Sequence, residues 1–323
     1  MNCPQCGFDS DPGNLYCASC GVSLSESRRE PSVSPDNPFY RVRARGLVLW
    51  AASGTLILAG ALIIANIFAV PAGGGLDPFF ESLVINAGFY GLMAAWALSQ
   101  AVGKRVDLRL LVGGVPTGYR WRSVVGVVGL LMLFTVFTSW LFLYFIAAYL
   151  PHAVDFFITE GVFVSGEKSD YVGQYNAQAF LVAVFVAPVV EEAFFRGMLL
   201  TRWSLKWGPT AGIVASSALF GLFHVGFFGA FAFGIAMCLL YIKTNTLLVP
   251  IAAHFLNNLV AAGFGVVALR SEAAGRTSGV QDLEAWLPAF VAGTIVTLSL
   301  LLWYIVRNWP RHGETAPYLV NQA

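Results

Sequence analysis

The stretch "AFLVAVFVAPVVEEAFFRGMLLTRW", residues 179–203, decides the fold class. It is apolar through Val190, then sets Glu191, Glu192 and Arg196 among phenylalanine, methionine and leucine. An ionised group near the middle of a bilayer costs about 2.5–3.5 kcal/mol on insertion scales. Three such groups in one lipid-compatible run call for a function or for mutual compensation. The rest of the chain has the same character. Of 323 residues, 57% are hydrophobic and 11% charged, with 26 phenylalanines, whereas a soluble domain has about 25% charged residues and 45–50% apolar ones. The sequence is that of a polytopic membrane protein.

Apolar spans of about 20 residues recur near 46–70, 79–102, 123–150, 176–200, 209–226, 229–243, 246–269 and 286–306. The predicted fold is all-α, a bundle of about eight transmembrane helices, in which the fifth and sixth spans are short enough to form a tight helical hairpin. The net charge of +1, without a basic stripe, excludes nucleic acid as a partner. The opening residues, "MNCPQCGFDS", carry neither a charged n-region nor an apolar h-region, so no cleaved signal peptide is expected. Arginine and lysine mark one set of loops: Arg41, Arg43 and Arg45, then Lys104, Arg105, Arg109, Arg120 and Arg122, then Arg202, Lys206, Lys243, Arg307 and Arg311. The opposite loops hold only Lys168, Arg270 and Arg276. By the positive-inside rule both termini are expected in the cytoplasm, on a multi-pass protein of the cell membrane.

Four of the five cysteines lie within the first 20 residues. Cys3, Cys6, Cys17 and Cys20 form C-x2-C-x10-C-x2-C, with Gly7 and Gly21 following the pairs. Two such pairs can close a tetrahedral zinc site, each glycine freeing the backbone to turn around the sulfurs. Two disulfides are the alternative, and they would need an oxidising compartment. Residues 1–22 are therefore expected to be a small cytoplasmic ribbon with one structural zinc. The Ser-, Pro- and charge-rich residues 23–45 read as a flexible linker.

The polar groups inside the spans are few: Glu191, Glu192 and Arg196 on the fourth, His224 on the fifth, and His254, Asn257 and Asn258 on the seventh. Glu192 and Arg196 stand four apart in the favourable order for an ion pair, and such a pair can exist simply to let both groups enter the bilayer. Glu191 is turned about 100° from Glu192 and can point elsewhere. His254 and Asn258 share a helix face. Each histidine or asparagine alone could be an interhelical hydrogen bond. Rising about 1.5 Å per residue, the three helices bring Glu191, His224 and His254 to compatible depths below the cytoplasmic surface. A carboxylate with an imidazole can hold and deprotonate a water, and a histidine with an asparagine can donate to an oxyanion. That combination suits peptide hydrolysis. Other intramembrane protease designs are absent: there is no H-E-x-x-H, no G-x-S-x-G and no paired intramembrane aspartates. Glu191, His224 and His254 could alternatively make a His₂Glu zinc site.

In order along the chain, "EEAFFR" is E-E-x-x-x-R, "FGLFH" (Phe220–His224) is F-x-x-x-H and "HFLNN" (His254–Asn258) is H-x-x-x-N. The ordered triple resembles the CPBP (ABI) family of type II CAAX-prenyl endopeptidases and bacteriocin-processing and self-immunity proteins. The resemblance covers roughly residues 120–306 and implies an intramembrane endopeptidase core at 123–306, preceded by transmembrane helices at 46–122 and followed by a cytoplasmic tail at 307–323. It implies that Glu191 and His224 hold the attacking water and that His254 and Asn258 form the oxyanion site. Glu192 and Arg196 would support them, and Phe220 would shape the pocket. Both metal-dependent and metal-free, glutamate-dependent members are described, so a catalytic metal is left open, with an asparagine beside the second histidine favouring a hydrogen-bond donor. The expected substrate is a membrane-associated protein or peptide. A non-catalytic membrane binding or immunity protein is the alternative; a transporter using buried acids as proton relays finds no support from an inverted repeat.

Overall fold

The computed structural model describes residues 3, 7–9, 17, 19, 24, 37–69, 76–115, 118–150, 163–164, 169–224, 226–273, 280–311 and 314–322. Regular structure among the described residues is helical. The principal helices are α1 (Leu47–Ala69), α2 (Pro78–Lys104), the short α3 (Leu108–Val112), α4 (Trp121–Tyr149), α5 (Val172–Trp207), α6 (Pro209–Leu222), α7 (Phe227–Thr244), α8 (Leu248–Ala273), α9 (Val280–Asn308) and the final turn α10 (Pro317–Val320).

Their limits follow local chemistry. Asp77 caps α2 by accepting from the Phe79 N–H at 2.8 Å, with Pro78 in the first turn where its missing N–H costs nothing. The same carboxylate accepts from the Ser169 hydroxyl at 2.7 Å and the Asp170 N–H at 2.9 Å, tying the start of α2 to the entry of α5. Gly208, at φ 86°, breaks the chain between α5 and α6 in a conformation only glycine adopts freely, and Pro209 restarts it.

Among the described residues, six helices are long and apolar enough to cross a membrane: α2, α4, α5, α7, and the segments Leu248–Arg270 and Glu284–Asn308. Two further helices are apolar, α1 with its 23 residues and the shorter Pro209–Leu222. Of the eight expected spans, the second, third, fourth, sixth, seventh and eighth are thus helices of membrane length among the described residues, and the first and fifth are apolar helices as well. At about 1.5 Å per residue, the 14 residues of α6 reach about 21 Å, short of the roughly 30 Å hydrocarbon core. Helix α6 instead pairs with α7, as the hairpin reading anticipated.

Helix α7 is the centre of the bundle: 78% of its apolar window lies inside the protein, against 11% for α2 and for Glu284–Asn308. The close approach that buries it rests on small residues. A Cβ at Gly234 of α7 would lie 3.0 Å from the Cα of Ser217 in α6, so the two helices meet backbone to backbone. The peripheral helices direct large apolar side chains outward, among them Leu56, Phe68, Val102, Phe145, Trp303 and Val306, a surface suited to lipid.

The continuous stretch of described residues that starts at Asn37 is packed from its first residues. Phe39 is wholly buried and meets Tyr318 edge-on at 4.8 Å. Arg202 donates from Nε to the Val42 carbonyl at 2.9 Å, and Lys243 meets Glu314 at 2.8 Å in a buried ion pair. Residues 37–45, counted above with the linker, and 314–322, counted with the tail, thus pack together on one end of the bundle. Of the ribbon, Cys6 and Cys20 lie outside the described residues. Cys3 donates its N–H to Phe8 O at 2.8 Å, Gly7 donates back to Cys3 O at 2.9 Å with φ +72°, and Cys3, Cys17 and Leu24 are buried together.

Candidate active site

Helix α5 carries the acidic pair, and it is not a uniform α-helix. Its turns widen to π geometry over Val182–Val186 and again over Glu192–Leu200. Proline supplies a local reason for the first. In π geometry an N–H reaches back five residues, and Ala187 donates in this way to Val182 O. The next donor in line would be residue 188, a proline without an N–H, which leaves Ala183 O unserved from within the helix. Asn258 of α8 fills the gap, donating from Nδ2 to Ala183 O at 2.8 Å.

The second wide stretch presents Glu192 and Arg196 inward, both fully buried. Arg196 donates to Glu192 Oε1 at 2.9 Å and to the Gly234 carbonyl of α7 at 3.4 Å. Its guanidinium lies over the Phe220 ring, 4.4 Å from the centroid, and the His224 imidazole stacks on the same ring at 4.3 Å. Phe220 is thus held by a cation–π contact and by a ring stack.

Glu192 Oε1 also accepts from His254 Nδ1 at 2.8 Å. One carboxylate oxygen therefore binds Arg196 and fixes the second histidine. His224 Nδ1 donates to Phe220 O at 2.8 Å. Both rings, held at Nδ1, turn Nε2 toward the same atom: Glu191 Oε2 lies 4.0 Å from His224 Nε2 and 3.9 Å from His254 Nε2. The tautomers follow from these acceptors, since neither a carbonyl nor a carboxylate can donate.

Glu191 is turned away from the Glu192 pair. Its Oε1 accepts from the Tyr90 hydroxyl of α2 at 3.1 Å, while Oε2 is buried with no hydrogen-bond partner among the described residues. Of the three converging groups, Glu191 and His254 are sealed, with side chains 6% and 4% exposed, and His224 is the open one at 37%.

The structure therefore brings together Glu191, Glu192 and Arg196 from α5, Phe220 from α6, His254 from α8, and His224, which the sequence reading put on the fifth helix and which stands in the turn just after α6. Asn258 stands one turn beyond His254, with Nδ2 given to Ala183 and Oδ1 accepting from Asn257 at 3.0 Å. Only the second hydrogen of that amide is free of these bonds to serve an oxyanion. The other two histidines, His152 and His312, lie outside the described residues. Sequence reasoning missed Tyr90, one hydroxyl in an apolar helix 101 residues from its partner.

The donor set can be tested against a catalytic zinc. Two imidazoles held at Nδ1 and one carboxylate are suitable ligand types. Ligands at about 2.1 Å around a tetrahedral zinc stand roughly 3.4 Å apart, and here the spacings are 3.9 and 4.0 Å. Among the described residues no group of three His, Cys, Asp or Glu side chains is drawn together closely enough to hold a metal ion. As placed, these residues do not fit zinc, and no step below passes through one.

The family model described as Type II CAAX prenyl endopeptidase Rce1-like matches residues 173–260. That segment holds every motif residue from Glu191 to Asn258 and excludes α1, α2 and α4. The match supports a membrane endopeptidase of this type and, with six membrane-length apolar helices, a multi-pass membrane protein acting on a protein substrate. Comparison with curated proteins and with solved structures gives no match.

Proposed function

We propose that the protein hydrolyses a peptide bond near the end of a membrane-associated protein or peptide, using a water activated by Glu191. The observation that carries this reading is the convergence of His224 Nε2 and His254 Nε2 on the unpartnered Glu191 Oε2. A water between Glu191 and His224 can give one hydrogen bond to Oε2 and one to the Nε2 lone pair, leaving its own lone pair for the carbonyl carbon. As the water oxygen bonds to carbon, one proton passes to Glu191. When the carbon–nitrogen bond breaks, that proton goes to the departing amine. His254 Nε2 faces the same space and can hold a proton toward the developing oxyanion, with Glu192 beside Nδ1 offsetting the positive charge. Asn258 holds α8 in register with α5 and has one N–H left for the same oxyanion.

The basic loops place both termini and the mouth of the site on the cytoplasmic side in this reading. Both claims meet in one experiment. A quenched fluorescent peptide ending in a farnesylated cysteine and three further residues is added to sealed vesicles of either orientation. Cleavage is expected in inside-out vesicles and after detergent permeabilisation. Cleavage confined to right-side-out vesicles reverses the topology, and none in detergent sinks the proposed reaction for this probe.

The N-terminal ribbon is proposed to hold one structural zinc through Cys3, Cys6, Cys17 and Cys20. Metal analysis of a protein beginning just before Asn37, which keeps the buried Phe39, is expected to show that this zinc is gone. Stoichiometric zinc persisting in that protein and lost on His224→Ala would place the metal at the intramembrane site instead.

A further inference from the structure

We infer that Tyr90 is a positioning residue for the reaction, holding the Glu191 carboxylate so that Oε2 faces the two histidines. The inference rests on Glu191 being the water-activating base. Tyr90 lies on α2, outside the matched segment 173–260, and no sequence motif points to it.

Glu191 reaches the site on a flexible side chain whose terminal torsion is soft and broad. Neither Arg196 on α5 nor His254 Nδ1 on α8 restrains it, because both are committed to Glu192 Oε1. Among the described residues, the single hydrogen bond to its carboxylate is from the Tyr90 hydroxyl, at 3.1 Å to Oε1. That bond sets the carboxylate plane, and with it the direction of the lone pairs on Oε2. The ring that delivers the hydroxyl is itself seated. Phe89, its neighbour, packs edge-on against Tyr90 at 5.2 Å and against Phe223 of the α6–α7 turn at 5.9 Å. Two turns further along α2, Trp96 packs on Phe194 of the wide α5 stretch at 5.1 Å. Helix α2 is thereby fixed to both partners of the site, the acid-bearing helix and the turn that carries His224. A bond to an ionised oxygen is also among the stronger hydrogen bonds available, so its loss should be felt at the reacting atoms.

The test compares Tyr90→Phe with wild type on the farnesylated quenched peptide in detergent. The hydroxyl's loss should lower kcat about 10- to 100-fold, the scale of a misplacement near 1 Å, and leave KM within about twofold, because no substrate contact is removed. A melting cycle gives a second readout that needs no turnover. Tyr90→Phe should lower the melting temperature in the wild-type background and not in Glu191→Ala, where the acceptor is gone. Wild-type kcat in Tyr90→Phe, equal melting losses in both backgrounds, or a Tyr90→Phe protein that does not fold would each overturn the positioning role. A wild-type protein inert toward the peptide would instead count against the proposed reaction, while the melting cycle still decides whether Tyr90 acts on Glu191.

Discussion

Glu191→Gln is expected to lower peptide cleavage by about 10²- to 10⁴-fold, the range of a lost general base, with the melting temperature close to wild type. The amide keeps the shape of the carboxylate and can still accept from the Tyr90 hydroxyl, so the packing of α2 on α5 should survive. What disappears is the atom between the two imidazoles, Oε2, which no other protein group engages. His224→Ala should give a comparable loss. Its side chain is 37% exposed, so its removal costs little packing. Wild-type turnover by a purified, folded Glu191→Gln protein would remove Glu191 from the chemistry, and with it the water-activation scheme.

The largest stability effects are expected at Glu192 and Arg196. Each single alanine variant strands its partner as a buried, unpaired charge, which costs about 3–5 kcal/mol. The pair has little reserve, since Glu192 Oε2 and Arg196 Nε are already without hydrogen-bond partners. The two variants should nevertheless differ in turnover. Arg196→Ala leaves Glu192 bonded to His254, so the surviving folded molecules should keep most of their activity. Glu192→Ala also frees His254 Nδ1, so its folded fraction should be slow as well as unstable. Thermal melts with turnover per folded molecule check both expectations. Single variants as stable as wild type would show that the pair is not a structural ion pair.

Much of this arrangement was readable in the residues. The apolar segments drawn from hydropathy coincide closely with the helices, because in lipid a backbone must satisfy its own hydrogen bonds and length alone nearly fixes the element. The polar exceptions were equally visible: Glu191, His224 and His254 stood out against their surroundings, and the structure brings each imidazole within 4.0 Å of the Glu191 carboxylate. What could not be read has physical reasons. A count at 3.6 residues per turn cannot see the π turns of α5. Tyr90 is unremarkable in a helix that also holds Phe79, Phe80 and Phe89. Residues 37–45 and 314–322 look like linker and tail because their anchoring rests on a few groups, Phe39, Tyr318 and the Lys243–Glu314 pair, rather than on a long apolar run.

The carbonyl that Pro188 leaves without a donor ties two distant positions into one epistatic pair. In the present chain, Asn258→Ala would leave Ala183 O buried and unsatisfied, at a cost of about 1–3 kcal/mol. With Pro188→Ala already in place, residue 188 has an N–H of its own to offer that carbonyl, and the loss of Asn258 should be milder. Melting temperatures of the two single variants and the double variant would show it as non-additivity, and strict additivity would deny the coupling. The tolerance of this membrane helix pair to change at position 258 is therefore set by what stands at position 188, on another helix and 70 residues earlier in the chain.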